Sequence, residues 1–183
     1  AARTGRPLKT VIGGGEPTVH PHFREFLEAI EDRAYNRRQI EQVRVITNGK
    51  RSDNAFWLLE MAKRSSVLYA CLSLDQYHEP ISSAVICAWL AAAREHDNIE
   101  SESGKIISNH GRARDNGLSI LDYCCCPGPF IEPDGTIYGC GCKTEHLGTV
   151  FNPCLPDSYI ERMRKGATCS RGRDIPRQSQ GGD

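Results

Sequence analysis

The chain has 183 residues, of which 39% are hydrophobic and 25% are charged, so its composition is that of a folded globular protein and not of a disordered one. Lysine plus arginine equals aspartate plus glutamate at 23 each, a balance that argues against a general nucleic-acid binder or a membrane-surface protein. The longest apolar run, over residues 84–93, is too short to cross a bilayer and predicts a core helix.

A short apolar strand at residues 11–12 ends in three glycines, which Glu16 and Pro17 follow directly. Glycines at the end of a strand allow backbone angles and close approaches that a Cβ atom would block. Main-chain groups of such a turn can contact a ligand, although a flexible connection without a ligand explains a glycine-rich turn equally well. The rest of the chain decides between these two interpretations.

Beyond the glycines the chain alternates between predicted helices and strands. Apolar residues at Phe23, Phe26, Leu27 and Ile30 predict one buried face of a helix that ends near residue 35. Strands are predicted over residues 43–47, 67–74 and 105–108, and helices over 56–63, with Asp53 as the cap, and over 81–94. This alternation predicts parallel strands with right-handed helical crossovers, which is an α/β fold.

Polar residues stand where the predicted strands end. In parallel sheets and barrels the ligand site lies beyond the carboxyl ends of the strands, so we expect these residues to share one cleft. They are Gly14, Gly15, Glu16, Thr47, Asn48, Ser73, Asp75, His78, Asn109 and Arg112.

Seven of the nine cysteines follow residue 120, whereas Cys71 and Cys87 lie in apolar segments, where we expect buried free thiols. The run Pro-Asp-Gly at residues 133–135, between two arms of alternating polarity, predicts a β-hairpin. A three-residue loop would bring Cys126 opposite Cys142. Because side chains two residues apart on a strand share a face, four thiolates could meet on one side of the hairpin: Cys124, Cys126, Cys140 and Cys142. A short helix is predicted over residues 158–165.

Thiolates in this arrangement suit an iron–sulfur cluster, and zinc is the alternative because cysteines bind both. The C-x-C spacing matches poorly with the C-x2-C pairs of structural zinc sites. Disulfides are disfavoured by the odd number of cysteines and by the lack of a signal-peptide pattern. Cys154 and Cys169 are either additional ligands or free thiols, and the sequence does not choose between them.

These residues resemble the radical S-adenosylmethionine (SAM) enzymes. Gly14, Gly15, Glu16 and Pro17, with a helix after them, are similar to the GGEP element that follows the second barrel strand of that family. Residues 47–49, 73–78 and 111–113 are similar to the ends of its third and fourth strands and to the region after its fifth. The cysteine hairpin resembles the auxiliary-cluster segments called SPASM or twitch domains. The resemblance covers about residues 10–150.

The resemblance implies a partial (βα)6 barrel over residues 8–117 that lacks its first βα unit, a small Cys-rich β-hairpin extension over 118–170 and a flexible tail over 171–183. It implies that the segment from Gly14 to Pro17 holds the methionine amino group of SAM, which needs acceptors such as carbonyls and a carboxylate. The remaining implied SAM contacts are Asn48, Ser73 and Asp75 to ribose or carboxylate groups and Arg112 to the carboxylate. An auxiliary [4Fe–4S] cluster would occupy the four hairpin cysteines, Cys124, Cys126, Cys140 and Cys142.

In the family, a reduced [4Fe–4S] cluster on a C-x3-C-x2-C loop cleaves SAM to a 5′-deoxyadenosyl radical, which abstracts hydrogen from a substrate. Here no cysteine precedes Cys71. We therefore expect the chain to be the larger, C-terminal part of a radical SAM enzyme and to be inactive alone. The implied setting is the cytoplasm, with a ferredoxin or flavodoxin as electron donor and a peptide, protein or small molecule as substrate. A non-catalytic module that binds an iron–sulfur cluster or zinc, for electron transfer or protein interaction, is the alternative function.

Overall fold

A computed structural model describes residues 8–13, 15–37, 40–74, 80–102, 128–141, 143 and 145–165 of the chain. The chain divides into two compact units, Ala1–Lys105 and Ile106–Asp183. Among the described residues, no helix combines the length and the apolar character that crossing a membrane requires. The predicted tail over residues 171–183 lies outside the described ranges.

The first unit contains a four-stranded parallel sheet. Its strands are β1 (Leu8–Ile12), β2 (Ile40–Thr47), β3 (Leu68–Ser73) and β4 (Ile99–Glu102), in the order β1-β2-β3-β4. Three helices alternate with the strands: α1 (Phe23–Arg37), α2 (Ser52–Arg64) and α3 (Ser83–Ala92). This is a mixed α/β unit. The described strands form an open sheet and do not close into a barrel. That they belong to a partial (βα)6 barrel stays a prediction.

The core of this unit lies between the sheet and its helices. Strand β3 is buried at five of its six positions, as its continuous apolar run predicts, because it lies in the middle of the sheet. Helix α1 contributes Phe23, Leu27 and Ala34, which are at most 4% exposed. Phe26 was expected on this buried face, but it is 55% exposed, because the stripe that faces the core runs through residues 23, 27, 30 and 34.

Several local expectations differ from the structure. The fourth strand is Ile99–Glu102, a segment with one apolar residue and hence little periodicity, whereas the strand predicted over 105–108 lies outside the described residues. Helix α2 begins at Ser52 with Arg51 at the N-cap position and no capping side chain, so Asp53 lies in the first turn. Cys71 is buried as expected, but Cys87 is exposed on α3.

The second unit contains a three-stranded antiparallel sheet of β5 (Phe130–Ile131), β6 (Thr136–Tyr138) and β7 (His146–Thr149), followed by helix α4 (Asp157–Arg164). The predicted hairpin is confirmed, with Gly135 in the left-handed region at φ +86°. Strand β7 was not expected. Three buried residues form the core, with Leu155 and Met163 packed against them: Ile137, Leu147 and Tyr159.

Candidate functional site

The carboxyl ends of the parallel strands bring several of the predicted residues to one edge of the first unit. The register pairs Ile12 with Val45 and Thr47 with Leu72, so the turn after β1 and the turn after β2 are neighbours. Ser73, at the end of β3, is 7% exposed and pairs with β4. The carboxyl ends of β1, β2 and β3 therefore lie next to one another at one edge of the sheet, as the order of the predicted elements indicates.

The Glu16 carboxylate is held by groups from both of these turns. Its Oε1 atom accepts hydrogen bonds from the Thr47 hydroxyl at 2.6 Å, the Thr18 hydroxyl at 2.5 Å and the Thr18 amide at 3.1 Å. Its Oε2 atom accepts one from the Asn48 amide at 2.7 Å. Thr18 and Thr47 are 0% and 1% exposed. Glu16 thus fastens the end of β1 to the end of β2.

This arrangement changes the role that the sequence suggested for Glu16. A carboxylate offers about four lone-pair sites, two on each oxygen. Three donors already share Oε1, and the Asn48 amide takes one of the two sites on Oε2. One acceptor site remains, on Oε2. An ammonium group at this turn would therefore find its acceptors mainly among main-chain carbonyls, and the carboxylate acts first as a cap, since it accepts the Thr18 amide of the 3-10 turn Pro17–Val19.

A second set of contacts fixes the 3-10 turn to helix α2. The Asn54 side chain donates to the Thr18 carbonyl at 2.6 Å and accepts from Arg24 Nε at 2.8 Å. The guanidinium of Arg24 lies 5.5 Å from the centre of the Trp57 ring. Sequence reasoning missed Thr18 and Asn54, because neither stands in a motif and only the folded chain brings them together.

Two glycines shape the edge in different ways. Gly15, at φ +72°, is exposed, and a Cβ built on it meets no atom within 4 Å. Gly49, at φ +71°, is buried, and a Cβ there would come within 2.8 Å of Leu72 Cδ1. The first glycine leaves its backbone open to a ligand, and the second lets the turn after β2 pack on the core.

The structure gathers Gly15, Glu16, Pro17 and Asn48, with Ser73 on the neighbouring strand. Other predicted residues of this edge lie outside the described residues: Gly14, Asp75, His78, Asn109 and Arg112. Their placement at the edge stays a prediction.

Of the four hairpin cysteines predicted to bind metal, Cys140 is among the described residues, and it is 1% exposed just beyond β6. Cys124, Cys126 and Cys142 lie outside them. The hairpin pairs Phe130 with Tyr138 and Ile131 with Ile137. The described ladder ends at Phe130 and Tyr138, because Gly139 bonds to Glu145, the residue before β7, and Cys140 lies in a turn, so the pairing of Cys126 with Cys142 stays a prediction. Within the described residues, no three cysteine, histidine or acidic side chains are grouped as a metal site.

The backbone around Cys140 is held from two sides. The Gly139 amide donates to the Glu145 carbonyl at 2.8 Å, and the Gly139 carbonyl accepts from the Tyr159 hydroxyl at 3.0 Å. Burial, and then the nearby Glu145 and Cys140, raise the pKa of Tyr159 to about 12. The Lys143 amide donates to the Cys140 carbonyl at 3.0 Å, which closes the turn that follows. The main chain that carries the Cys140 side chain is therefore held in place by hydrogen bonds.

Comparisons of the chain with protein-family models, with curated proteins and with solved structures find no match.

Proposed function

We propose that the chain is part of a radical SAM enzyme, in which the first unit binds SAM and the second carries an auxiliary iron–sulfur cluster. The observation that carries this proposal is the turn after β1, where an exposed glycine at φ +72° adjoins a carboxylate fastened to the next strand. The part of the turn from Glu16 to Val19 is already held by hydrogen bonds, so a ligand that docks beside it does not have to order that part.

The SAM proposal assigns the ligand contacts to main-chain groups near Gly15 and to the turn at Asn48. Exposed carbonyls provide acceptors for the methionine ammonium, and amides and the Asn48 side chain provide partners for carboxylate or ribose groups. Glu16 has a positioning role and keeps one acceptor site, on Oε2. The Asn48 side chain accepts from the Lys50 amide at 3.0 Å through its oxygen, and its N–H2 group is the part that would donate to a ligand.

Binding of SAM is tested by titrating it into the 15N-labelled chain, with ATP as a control nucleotide that lacks the methionine group. We expect amide shifts at Gly15, Glu16 and Asn48 with SAM and smaller ones with ATP. Glu16→Gln replaces one carboxylate oxygen, which accepts hydrogen bonds, by an amide N–H2 group, which cannot accept them from the surrounding donors. We therefore expect the variant to bind SAM several-fold more weakly. Glu41→Gln, a change at an exposed surface carboxylate, serves as the control. Shifts spread away from this edge, or equal affinity in both variants, would contradict the assignment.

The cluster proposal concerns the hairpin cysteines, Cys124, Cys126, Cys140 and Cys142. An iron–sulfur cluster would supply electron transfer, and the chain's part is to hold four thiolates in a protected place. The described part of the hairpin fits this role, because Cys140 is buried, the main chain of the preceding Gly139 is held by Glu145 and Tyr159, and the Cys140 carbonyl accepts from the Lys143 amide. Free thiols in the described residues suit a reducing compartment, and we propose the cytoplasm.

Anaerobic reconstitution with ferrous iron and sulfide tests the cluster. We expect a brown protein with about four iron atoms per chain, the content of a cysteine-bound [4Fe–4S] cluster. Replacing Cys140 and Cys142 by alanine should remove the colour, whereas Cys87→Ala, an exposed cysteine of the first unit, should retain it. Colour that persists in the double variant would exclude the hairpin as the site.

A second candidate function is a non-catalytic module that binds a cluster or zinc. The internal bonding of Glu16 favours it, since a carboxylate that accepts four hydrogen bonds explains the turn without any ligand. The two candidates differ in one measurement. A chain that takes up zinc or iron but shows no SAM-dependent shifts in the first unit is the module, and one that shows both is the enzyme part.

A further inference from the structure

A cavity of about 520 Å³ lies on the surface of the first unit, between helices α1 and α2. Six of the side chains that line it come in equal numbers from the two helices: Glu28, Glu31 and Asp32 from α1, and Trp57, Met61 and Arg64 from α2. None of them belongs to the edge where Glu16 and Asn48 lie, so the proposed SAM site does not use this cavity. A volume of this size is in the range of pockets that hold a small organic molecule.

The α2 side of the cavity is apolar and is held in place by the core. Met61 is 7% exposed and is part of the main buried cluster, and Trp57 packs against that cluster. The Trp57 ring is also held by the Phe23 ring, edge to face with centroids 5.9 Å apart, and by the Arg24 guanidinium, 5.5 Å from its centre. An aliphatic chain that lies on this wall therefore gains contact without having to order it.

The α1 side of the cavity is acidic, and two of its carboxylates are unpaired. Among the described residues, neither Glu28 nor Glu31 has a hydrogen-bond or ion-pair partner for its side chain, whereas Asp32 accepts from Asn36 at 2.8 Å. Glu28 is three positions from Glu31 and four from Asp32, so the three carboxylates are neighbours on the helix surface, and like charges at this spacing destabilise a helix. A cation beside them relieves this repulsion.

Arg64 is the cationic residue of the lining, and its guanidinium bonds to its own helix. Its Nε donates to the Glu60 carbonyl at 3.1 Å, and within the described part of the chain it makes no ion pair with the carboxylates of α1. The lining therefore carries two negative charges in excess. A cavity with one negative wall and one apolar wall is the chemical complement of a cation that carries an aliphatic chain.

We propose that the cavity binds a small organic cation, in which an ammonium or guanidinium head is joined to a short aliphatic chain. The head lies between Glu28 and Glu31. Cβ atoms three positions apart on a helix are about 5–6 Å apart, a spacing that suits one head and not two. The chain lies along Trp57 and Met61. The inference does not depend on SAM binding or on a cluster.

The two methionines of the chain provide a direct test, because Met61 lines the cavity and Met163 lies in the second unit as an internal control. n-Butylammonium chloride is titrated into the chain labelled with 13C at its methionine methyl groups. Ammonium chloride and 1-butanol serve as probes of the charge alone and of the aliphatic chain alone. We expect n-butylammonium to shift the Met61 resonance to saturation, with a Kd in the millimolar range because exposed charges are screened by water and salt. The other two probes should shift it less, and the Met163 resonance should stay in place.

Variants test which side chains set the affinity. Glu28→Gln combined with Glu31→Gln should weaken n-butylammonium binding about threefold or more. Glu95→Gln, at an exposed carboxylate outside the cavity, should leave the Kd unchanged. Arg64→Ala should strengthen binding, because it removes the cation that competes for the same carboxylates. Amide spectra that match the spectrum of the unmodified chain show that the variants are folded.

Three results would overturn the proposal. One is equal affinity of the unmodified chain and the variant that combines Glu28→Gln with Glu31→Gln. Another is a Met61 shift as large with 1-butanol as with n-butylammonium, which would make the cavity an apolar groove only. The third is tighter binding of a blocked alanine–lysine–alanine peptide than of n-butylammonium, which would assign the cavity to a peptide segment and not to a small molecule.

Discussion

Gly15 and Gly49 adopt the same left-handed backbone conformation, but Gly15 is exposed and Gly49 is buried. A side chain at Gly15 would add backbone strain alone, and one at Gly49 would add backbone strain and a steric clash. A non-glycine residue in this conformation costs about 1–2 kcal/mol. At Gly15 that is the whole cost, since a Cβ would meet open space. At Gly49 a Cβ would also press on Leu72, Ile81 and Val85 at 2.8, 3.2 and 3.4 Å.

We therefore expect Gly15→Ala to lower the free energy of unfolding by about 1 kcal/mol and Gly49→Ala to lower it by at least about 1–3 kcal/mol more, the usual cost of overpacking a core. Urea unfolding followed by tryptophan fluorescence measures both. Equal losses in the two variants would mean that the core around Leu72 adjusts to the added methyl group without cost.

At the scale of one residue, Tyr159 makes the stability of the second unit depend on pH in the alkaline range. The folded-state pKa of Tyr159, at about 12, lies above its ordinary value of 10.0, because burial disfavours the phenolate. Its contribution to stability is complete below pH 10 and is lost as the pH rises from 10 through about 12.

Among the six tyrosines of the chain, we expect Tyr159 to appear as a late component in a titration of tyrosinate absorbance. Tyr159→Phe should remove this component. Tyr35→Phe, at a tyrosine that is 58% exposed, should leave it in place. A titration curve that Tyr159→Phe does not alter at its alkaline end would contradict the assignment.

At the scale of elements, one amide side chain links a helix and a strand of the first unit. Asn98 Nδ2 donates to the Ala62 carbonyl at the end of α2 at 2.8 Å, and to the Leu68 carbonyl of β3 at 2.8 Å. A third, longer bond of 3.2 Å reaches the Ser65 carbonyl. Asn98 immediately precedes β4, so its side-chain bonds hold the chain at the point where that strand begins. Hydrophobic periodicity does not predict this start.

Asn98→Ala removes a donor from each of these carbonyls, although the Ala62 carbonyl keeps the Ser65 amide at 3.1 Å, and we expect it to lower the free energy of unfolding by about 1–3 kcal/mol. Asn36→Ala removes a matched amide that bonds the exposed Asp32 side chain at 2.8 Å, and its effect should stay within about 0.5 kcal/mol. The same urea experiment measures both variants. Similar losses would show that the bonds of Asn98 are replaced by water.

At the scale of the whole molecule, the two units differ in how much core they contain. The first buries a cluster that runs from Phe23 to Ile99, whereas the cluster described in the second contains three buried residues, with Cys140 and Ile160 buried beside them in the chain. A small antiparallel sheet with so little core is marginal in water and usually needs a metal or disulfides to be stable. The proposed cluster would supply that stabilisation.

We therefore expect removal of iron by a chelator to unfold the second unit and to spare the first. Both tryptophans, Trp57 and Trp89, lie in the first unit, so their fluorescence should not change. The methyl resonances of Ile137 and Leu147 in the second unit should lose their dispersion. If these resonances persist in the metal-free chain, the second unit is stable through its own packing.

The sequence by itself determined the local features that depend on short-range chemistry. The order of the first three strands and their three helices follows from periodicity, the hairpin turn at residues 133–135 from the angles that proline and glycine favour, and the neighbouring strand ends from parallel topology. Only the tertiary structure decided what the side chains do. Glu16 meets Thr18, Thr47 and the Asn48 amide, and Phe26 faces water. The bonds of Glu16 to Thr47 and Asn48 join residues 31 and 32 positions apart, and no local pattern refers to partners so distant in the chain.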